Sequence, residues 1–418
     1  MTALGTRQDR KYGVGDKWER LEIPSSVRTQ SGCRHTCFRS VDAYASVVVS
    51  RSARVTDMRT KHISHSLPAF PIYSCAFTSP NELILGGGGG QSRSGIKNKL
   101  RLYRIDSDKT FELLDELELE KGEDAPMSMA AHPQIKNMHV VVKENKMSLL
   151  RTQGTLALKG SEDDFQKVTV FSPDGSFLAV GGTHDVCLLS YPSLSIAATP
   201  IQLKKGEVYD ASFSTTTLVV ATTVNLLVYT LPATRSTAGS EKVVGKQKEY
   251  PITSLELIRT VERPTLPGKD AGSSFRAARY NPKDEKVLYT IMNTVPPRTR
   301  TKSSQDVGDR GLTCFDVSPN GKLLAFGSSD YTVGILDAQT LAPLLTILKA
   351  HELPPTTLRF NPSSNLLVSG SADNTIRVVA VPTSLGESSW SSWIFIVVAL
   401  LIILFAILAK QMHHVLDV

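Results

Sequence analysis

The chain has 418 residues, 41% of them hydrophobic and 21% charged, which is the composition of a folded protein with one large domain or two smaller ones. Its formal charge of +7 sits at one end: residues 1–65 hold 12 Lys or Arg against 6 Asp or Glu, and the rest of the chain holds 35 against 34. A basic folded face for nucleic acid is therefore not expected, only a basic N-terminal segment.

Five scattered cysteines, Cys33, Cys37, Cys75, Cys187 and Cys314, fit reduced thiols better than a disulfide framework. Cys33 and Cys37 flank His35, but no second ligand pair follows at zinc spacing, so no metal site is expected there.

Residues 1–65 mix Arg, Ser, Thr and Gly with few aromatics, and they read as a basic, disordered extension with one short strand in Ala43–Val49. No apolar run follows Met1, so no secretory signal is read. From Pro71 to Pro382 the pattern is all-β. Apolar or β-branched runs such as Ile72–Phe77, Phe177–Val180, Leu218–Ala221, Leu323–Phe326 and Thr375–Val381 are bounded by Gly, Pro, Asn, Asp and Ser. No segment there keeps a helical period.

The first of these runs leads into the chain's most unusual stretch, Leu83-Ile84-Leu85 followed by Gly86, Gly87, Gly88, Gly89 and Gly90. Gln91, Ser92, Arg93, Ser94, Gly95, Ile96, Lys97 and Asn98 come next, and then Lys99–Ile105 alternates like a strand. A tight hairpin needs one or two glycines, not five. A glycine run leaves backbone N–H and C=O groups unshielded, so converging amides would suit an anion and converging carbonyls a cation. Two nucleotide motifs fail here. A P-loop needs Gly-Lys-Ser/Thr, but Ile96 intervenes and Asn98 replaces the hydroxyl; a dinucleotide fingerprint needs a third glycine where Gln91, Ser92 or Arg93 stands.

Internal repeats give the architecture. Ser172-Pro173-Asp174-Gly175, Ser318-Pro319-Asn320-Gly321 and Asn361-Pro362-Ser363-Ser364 each precede a strand, and Pro319 and Pro362 lie 43 residues apart. That spacing resembles the WD40 blade, whose period is about 40–45 residues. The last unit resembles it most clearly: His351, Ser369 and Asp373 match the blade's buried hydrogen-bonded group. Two repeats depart from the family, with Val379 and Leu336 where the blade's Trp should stand. The 312 residues of 71–382 divide into about seven blades of about 44 residues. His132, His184 and Asp185 lie in turn-like contexts and are expected to face solvent. Residues 231–249, 262–274 and 294–310, rich in Thr, Ser, Pro and Lys, read as loops between blades.

The C-terminus changes again. Residues 388–409 contain no charge in 22 positions, with Trp393 to Ala409 apolar throughout. Such a helix is about 33 Å long, enough for a bilayer core of about 30 Å, with Trp390 and Trp393 at one interface and Lys410 at the other. The expected organisation is an extension (1–65), a cytosolic WD40-like β-propeller of about seven blades (66–387), one transmembrane helix (388–409) and a lumenal tail (410–418).

A propeller with a glycine-rich loop in its first blade and a single C-terminal span resembles the endoplasmic-reticulum guanine-nucleotide exchange factors for the Sar-type small GTPase. Members carry a glycine run, a short variable insert and a Gly-Ile-x-Asn-Lys-like segment, matched here by Gly86–Gly89 and by Gly95-Ile96-Lys97-Asn98-Lys99. The resemblance implies an exchange factor, not a bond-making enzyme, that starts COPII coat assembly at the endoplasmic reticulum membrane. It implies a GTPase-contacting loop from Gly86 to Asn98, with Ile96, Lys97 and Asn98 facing the partner. It implies a potassium ion on backbone carbonyls of Gly90, Gln91, Ser92, Arg93 and Ser94. Partners would be the Sar-type GTPase, the lipid bilayer and other coat proteins, with no nucleic acid. The rival reading is a membrane-anchored WD40 scaffold without exchange activity.

Overall fold

The computed structural model describes residues 15–17, 43–46, 61–90, 94–120, 124–133, 140–143, 145–149, 153–155, 165–232, 254–263, 273–294, 311–382 and 397–403. Contacts divide the chain into two units, 1–383 and 384–418.

The first unit is a β-propeller. Among the described residues five sheets have the antiparallel meander of a blade. In chain order their inner strands are Ile72–Ser79, Val168–Phe171, Val208–Phe213, Leu312–Val317 and Pro355–Phe360. The blade count differs from the arithmetic of about seven. Two further sheets are built differently. Val140–Lys143 and Lys146–Leu149 form a two-stranded hairpin. Ser273–Asn281 and Asp284–Thr294 form a second hairpin, flanked by Gly15–Lys17 antiparallel and Ala43–Ser46 parallel to Asp284–Thr294. Residues 295–310, which follow that hairpin, lie outside the described residues. Dividing length by one period also counts the long inter-strand stretches as blade.

The turns explain the repeated sequence signal. In Ser172–Phe177 the Ser172 hydroxyl donates to Asp174 Oδ1 (2.6 Å) and accepts from the Phe177 amide (2.9 Å), while Gly175 takes φ +74°. Ser318–Leu323 repeats this with Asn320 in place of the aspartate and Gly321 at φ +72°. In Asn361–Leu366 the Asn361 side chain accepts from the Leu366 amide at 3.0 Å. A small polar side chain caps the turn each time, and proline sets its entry.

The core lies between neighbouring sheets. One cluster joins Ile72, Leu83 and Leu85 of the first blade to Val368, Ile376 and Val378 of the last. The ring is closed by His62–Ser66, which pairs with Thr375–Ala380 as that blade's outer strand, Ser66 opposite Thr375. The propeller thus starts inside the stretch read as an extension. Closure leaves short blade edges instead of one open sheet.

Inner-strand side chains line a central cavity of about 400 Å³, and charges there are clasped between strands. Asp210 accepts from the Ala278 amide (3.0 Å) and pairs with Arg279; Asp316 accepts from the Phe360 amide (2.8 Å) and faces Arg359 at 3.6 Å. Burial pushes the Asp316 carboxyl up against the pull of Arg359.

Two solvent expectations are corrected. His132 is buried against Phe171 and Tyr191, with Nε2 3.1 Å from the Gly175 carbonyl, and Asp185 is buried at the start of its strand. Turn residues at a blade's base are covered by the next segment, which a linear reading does not see.

The expected transmembrane segment falls largely outside the described residues, including Trp390, Trp393, Ala409 and Lys410. Its described part, 397–403, is a short helix with exposed apolar side chains. Among the described residues no helix is long and apolar enough to cross a membrane.

Candidate functional site

The glycine run divides into two parts with different tasks. Gly86 and Gly87 are not loop residues. They end the strand Glu82–Gly87, opposite Leu100 and Lys99. A Cβ on Gly86 would strike the Ser74 hydroxyl and Pro126, and one on Gly87 would strike the Pro71 carbonyl and the Phe70 ring. They are glycine because neighbouring chain packs onto the strand there.

The loop proper begins at Gly88, whose amide donates to the Pro71 carbonyl at 3.1 Å. Gly88 has φ +146° and Gly90 φ +66°, conformations that glycine adopts without a Cβ penalty. A Cβ on Gly88 would strike the Asn98 side chain and backbone. The loop is held by Asn98, which is 8% exposed. Its Oδ1 accepts from the Gly90 amide at 2.9 Å, and its Nδ2 donates to the Gly90 carbonyl at 3.2 Å. The carboxamide thus copies the two-bond pairing of a strand residue across the loop neck. Its own carbonyl accepts from the Leu119 amide at 2.9 Å, which ties the loop to the outer strand.

Asn98 therefore faces inward in the free chain, with its side chain engaged by Gly90. The outward members are Ser94, Gly95 and Lys97, with Ile96 half-buried. The Ser94 hydroxyl accepts from the Ile96 amide at 3.3 Å, and Lys97 Nζ lies 2.7 Å from Glu118, an exposed pair of little energetic weight. Gln91, Ser92 and Arg93 lie outside the described residues.

The Lys97 and Ile96 carbonyls, the Ser94 hydroxyl and Asn98 Oδ1 approach the space that side chains on Gly88 and Gly89 would fill, and the Asp124 carboxylate approaches Gly90. Among the described residues no cluster of three His, Cys, Asp or Glu could hold a metal.

Beneath the loop, Arg101 stacks on the Phe70 ring at 4.1 Å and Glu116 receives Arg101 at 2.7 Å and Lys99 more closely. Burial pushes the Glu116 carboxyl up, but the hydrogen bonds from Lys99 and Arg101 outweigh it and hold it below its usual range.

The second predicted group lies in the last blade. His351 Nε2 is 2.8 Å from Ser369 Oγ, and its Nδ1 is 2.7 Å from Thr375 Oγ1 and 3.7 Å from Asp373. Asp373 accepts from the Thr375 hydroxyl (2.6 Å) and the Glu352 amide (2.6 Å). Thr375 is the member that the sequence reading missed, although it lies two residues after Asp373. Burial pushes the His351 imidazole down to about 4 against the pull of Asp373. A neutral, fully engaged imidazole under the surface is a structural group.

The WD domain, G-beta repeat pattern matches residues 302–337 and 342–379, within the last two blades. The guanine nucleotide-exchange factor SEC12 of Candida glabrata is 22% identical over 388 residues, covering 81% of this chain and 77% of that protein. SEC12-like protein 2 of Arabidopsis thaliana is 24% identical over 319 residues, 70% of this chain and 74% of that one. This chain is similar to SEC12 and SEC12-like proteins along most of its length. SED4 of Saccharomyces cerevisiae is 23% identical over 359 residues, 81% of this chain, and the chain spans only 33% of SED4's length. The SEC12 likeness runs along most of the chain, whereas the repeat pattern covers two blades. The likeness therefore extends beyond the shared architecture, which many functions use.

Proposed function

We propose that this chain is a guanine-nucleotide exchange factor for a Sar-type small GTPase at the endoplasmic reticulum membrane, where it starts COPII coat assembly. The observation that carries the reading is the Asn98–Gly90 clasp, which ties the neck of a glycine-rich loop on a propeller similar to SEC12 proteins. The exchange factors named among its relatives support the activity at the level of the family.

Exchange needs no bond-making group. The factor binds the nucleotide-free GTPase better than the GDP-bound form, and the difference expels GDP. A loop already ordered loses little of its contact energy to its own ordering, so more remains for that difference. Ile96 and Lys97 present the contact surface, and Asn98 positions them. A potassium ion would be held by backbone carbonyls of Gly90, Gln91, Ser92, Arg93 and Ser94, where its positive charge would keep them converged. Residues 388–409 anchor the chain in the bilayer with the propeller cytosolic, which raises the local concentration of a membrane-inserting GTPase.

The test is release of fluorescent GDP from a Sar-type GTPase by the full chain in lipid vesicles. Acceleration in potassium that falls when potassium is replaced by choline supports the whole reading. Acceleration indifferent to the cation removes potassium and keeps the exchange. No acceleration leaves a membrane-anchored propeller scaffold.

A further inference from the structure

A specific protein interface covers about 800 Å² per partner, some 20–30 residues a side. Among its described residues the glycine loop offers Ser94, Gly95, Ile96 and Lys97, and even its full length from Gly88 to Asn98 is 11 residues, short of that. The face that receives the partner must continue beyond the loop, and the structure contains one continuous route. The Gly88 amide bonds the Pro71 carbonyl, and the neighbouring Phe70 amide bonds the Asn374 side chain at 2.9 Å. Next to Asn374, Asp373 accepts from the amides of Glu352 (2.6 Å) and Leu353 (3.4 Å). Strand register places these turns at one end of the propeller: Gly87 and Lys99 pair beside the glycine loop, and Ser371, Thr375 and Pro355 end or begin their strands beside the second loop.

That second loop, Leu348–Leu353, exposes two leucines, Leu348 at 74% and Leu353 at 45%. It is not loose chain. The Ala350 amide donates to the Tyr331 carbonyl (2.8 Å), and the Ala350 carbonyl accepts from Arg377 Nε (2.8 Å). His351 is fixed by Ser369 and Thr375, and the Leu353 carbonyl accepts from the Ser371 hydroxyl at 3.1 Å. Exposed Lys349 and Glu352 border the leucines. Two apolar side chains on an immobilised loop with a polar border have the make-up of a binding hot spot, since contact costs them little further ordering.

We infer that Leu348 and Leu353 form a second contact patch, which docks an apolar surface of the same GTPase that the glycine loop engages. This rests on the exchange reading. The patch supplies docking affinity, whereas the glycine loop drives nucleotide release.

The test uses the full chain in vesicles and the double variant Leu348→Ser/Leu353→Ser, with GDP release measured against GTPase concentration. Burying two leucines is worth enough that KM should rise by about tenfold or more, with kcat little changed. A photo-crosslinking residue at position 348 or 353 of otherwise unaltered protein should capture the GTPase. It decides the matter even if the double variant melts early. Unchanged KM, or no GTPase adduct from either position, overturns the patch while exchange by the wild type stands. Self-association lost in the double variant would assign the face to a second copy of this chain and overturn it too. A wild type without exchange activity brings the patch down with the function it rests on.

Discussion

Asn98 closes the glycine loop on Gly90 by giving and taking one hydrogen bond each, at 3.2 and 2.9 Å. The asparagine of the motif is thus turned away from solvent. Asn98→Ala removes both bonds and leaves the Gly90 groups to water, a loss of about 1–2 kcal/mol in loop closure. Amide hydrogen exchange at Gly88–Gly90 should quicken roughly tenfold while the blade strands keep their protection. Unchanged exchange at Gly90 would show that the clasp does not hold the loop.

The loop glycines are not equivalent. Gly88→Ala places a methyl group on the Asn98 side chain and backbone, so the neck must open. Gly95 has φ +76° but open space around it, and Gly95→Ala should cost only about 1 kcal/mol of local strain. Nucleotide release should fall far more in Gly88→Ala than in Gly95→Ala. Equal effects would argue for general flexibility instead of a shaped neck.

The last blade should weaken in mild acid. Burial holds the His351 imidazole at about 4, below its ordinary 6.5, so the unfolded chain binds the extra proton between these values. The stability from neutral His351 is complete above about pH 6.5 and is lost as pH falls toward 4. Asp373 is held below its ordinary range by the bonds from Thr375 and Glu352, which outweigh its burial, so its contribution is lost only at lower pH. Melting temperature should drop across pH 6.5 to 4, and the drop should shrink in His351→Gln. His351→Ala should cost about 2–4 kcal/mol at neutral pH, because Ser369 and Thr375 lose a buried partner.

The propeller's interior thiols should be inert. Burial pushes Cys75 up to about 11 and Cys314 up to about 12, against the opposing pull of Arg359 on both. At pH 8 neither holds an appreciable thiolate fraction. Alkylation of native protein followed by peptide mass spectrometry should leave both unmodified, and denaturant should expose both. Rapid native labelling would contradict the closed ring.

What the sequence made legible follows from how local each signal is. The Ser-Pro-Asp-Gly and Ser-Pro-Asn-Gly turns were visible because cap, proline and glycine are consecutive, so the repeat survives in the text. The His351, Ser369 and Asp373 set was visible through the blade it resembles. The five-glycine run marked the site but hid its division. That Gly86 and Gly87 are strand residues depends on Ser74, Pro126, Pro71 and Phe70, which reach them only in the folded blade. The inward turn of Asn98 likewise depends on Gly90, eight residues away across a loop. His132 was misread because its cover, Phe171 and Tyr191, comes from the following blade. The blade count of the described residues differs because two sheets there are not consecutive meanders, and the outer strand of the last blade is His62–Ser66 from the other end of the chain.

The measurement nearest the central claim compares wild type with Asn98→Ala, both as full chains in vesicles. Each is mixed with a Sar-type GTPase carrying fluorescent GDP, in potassium buffer. The account predicts fast release by the wild type and release slowed at least about tenfold by the substitution, with melting temperatures close to each other. Release by Asn98→Ala at the wild-type rate would contradict a clasped glycine loop as the working part of this protein.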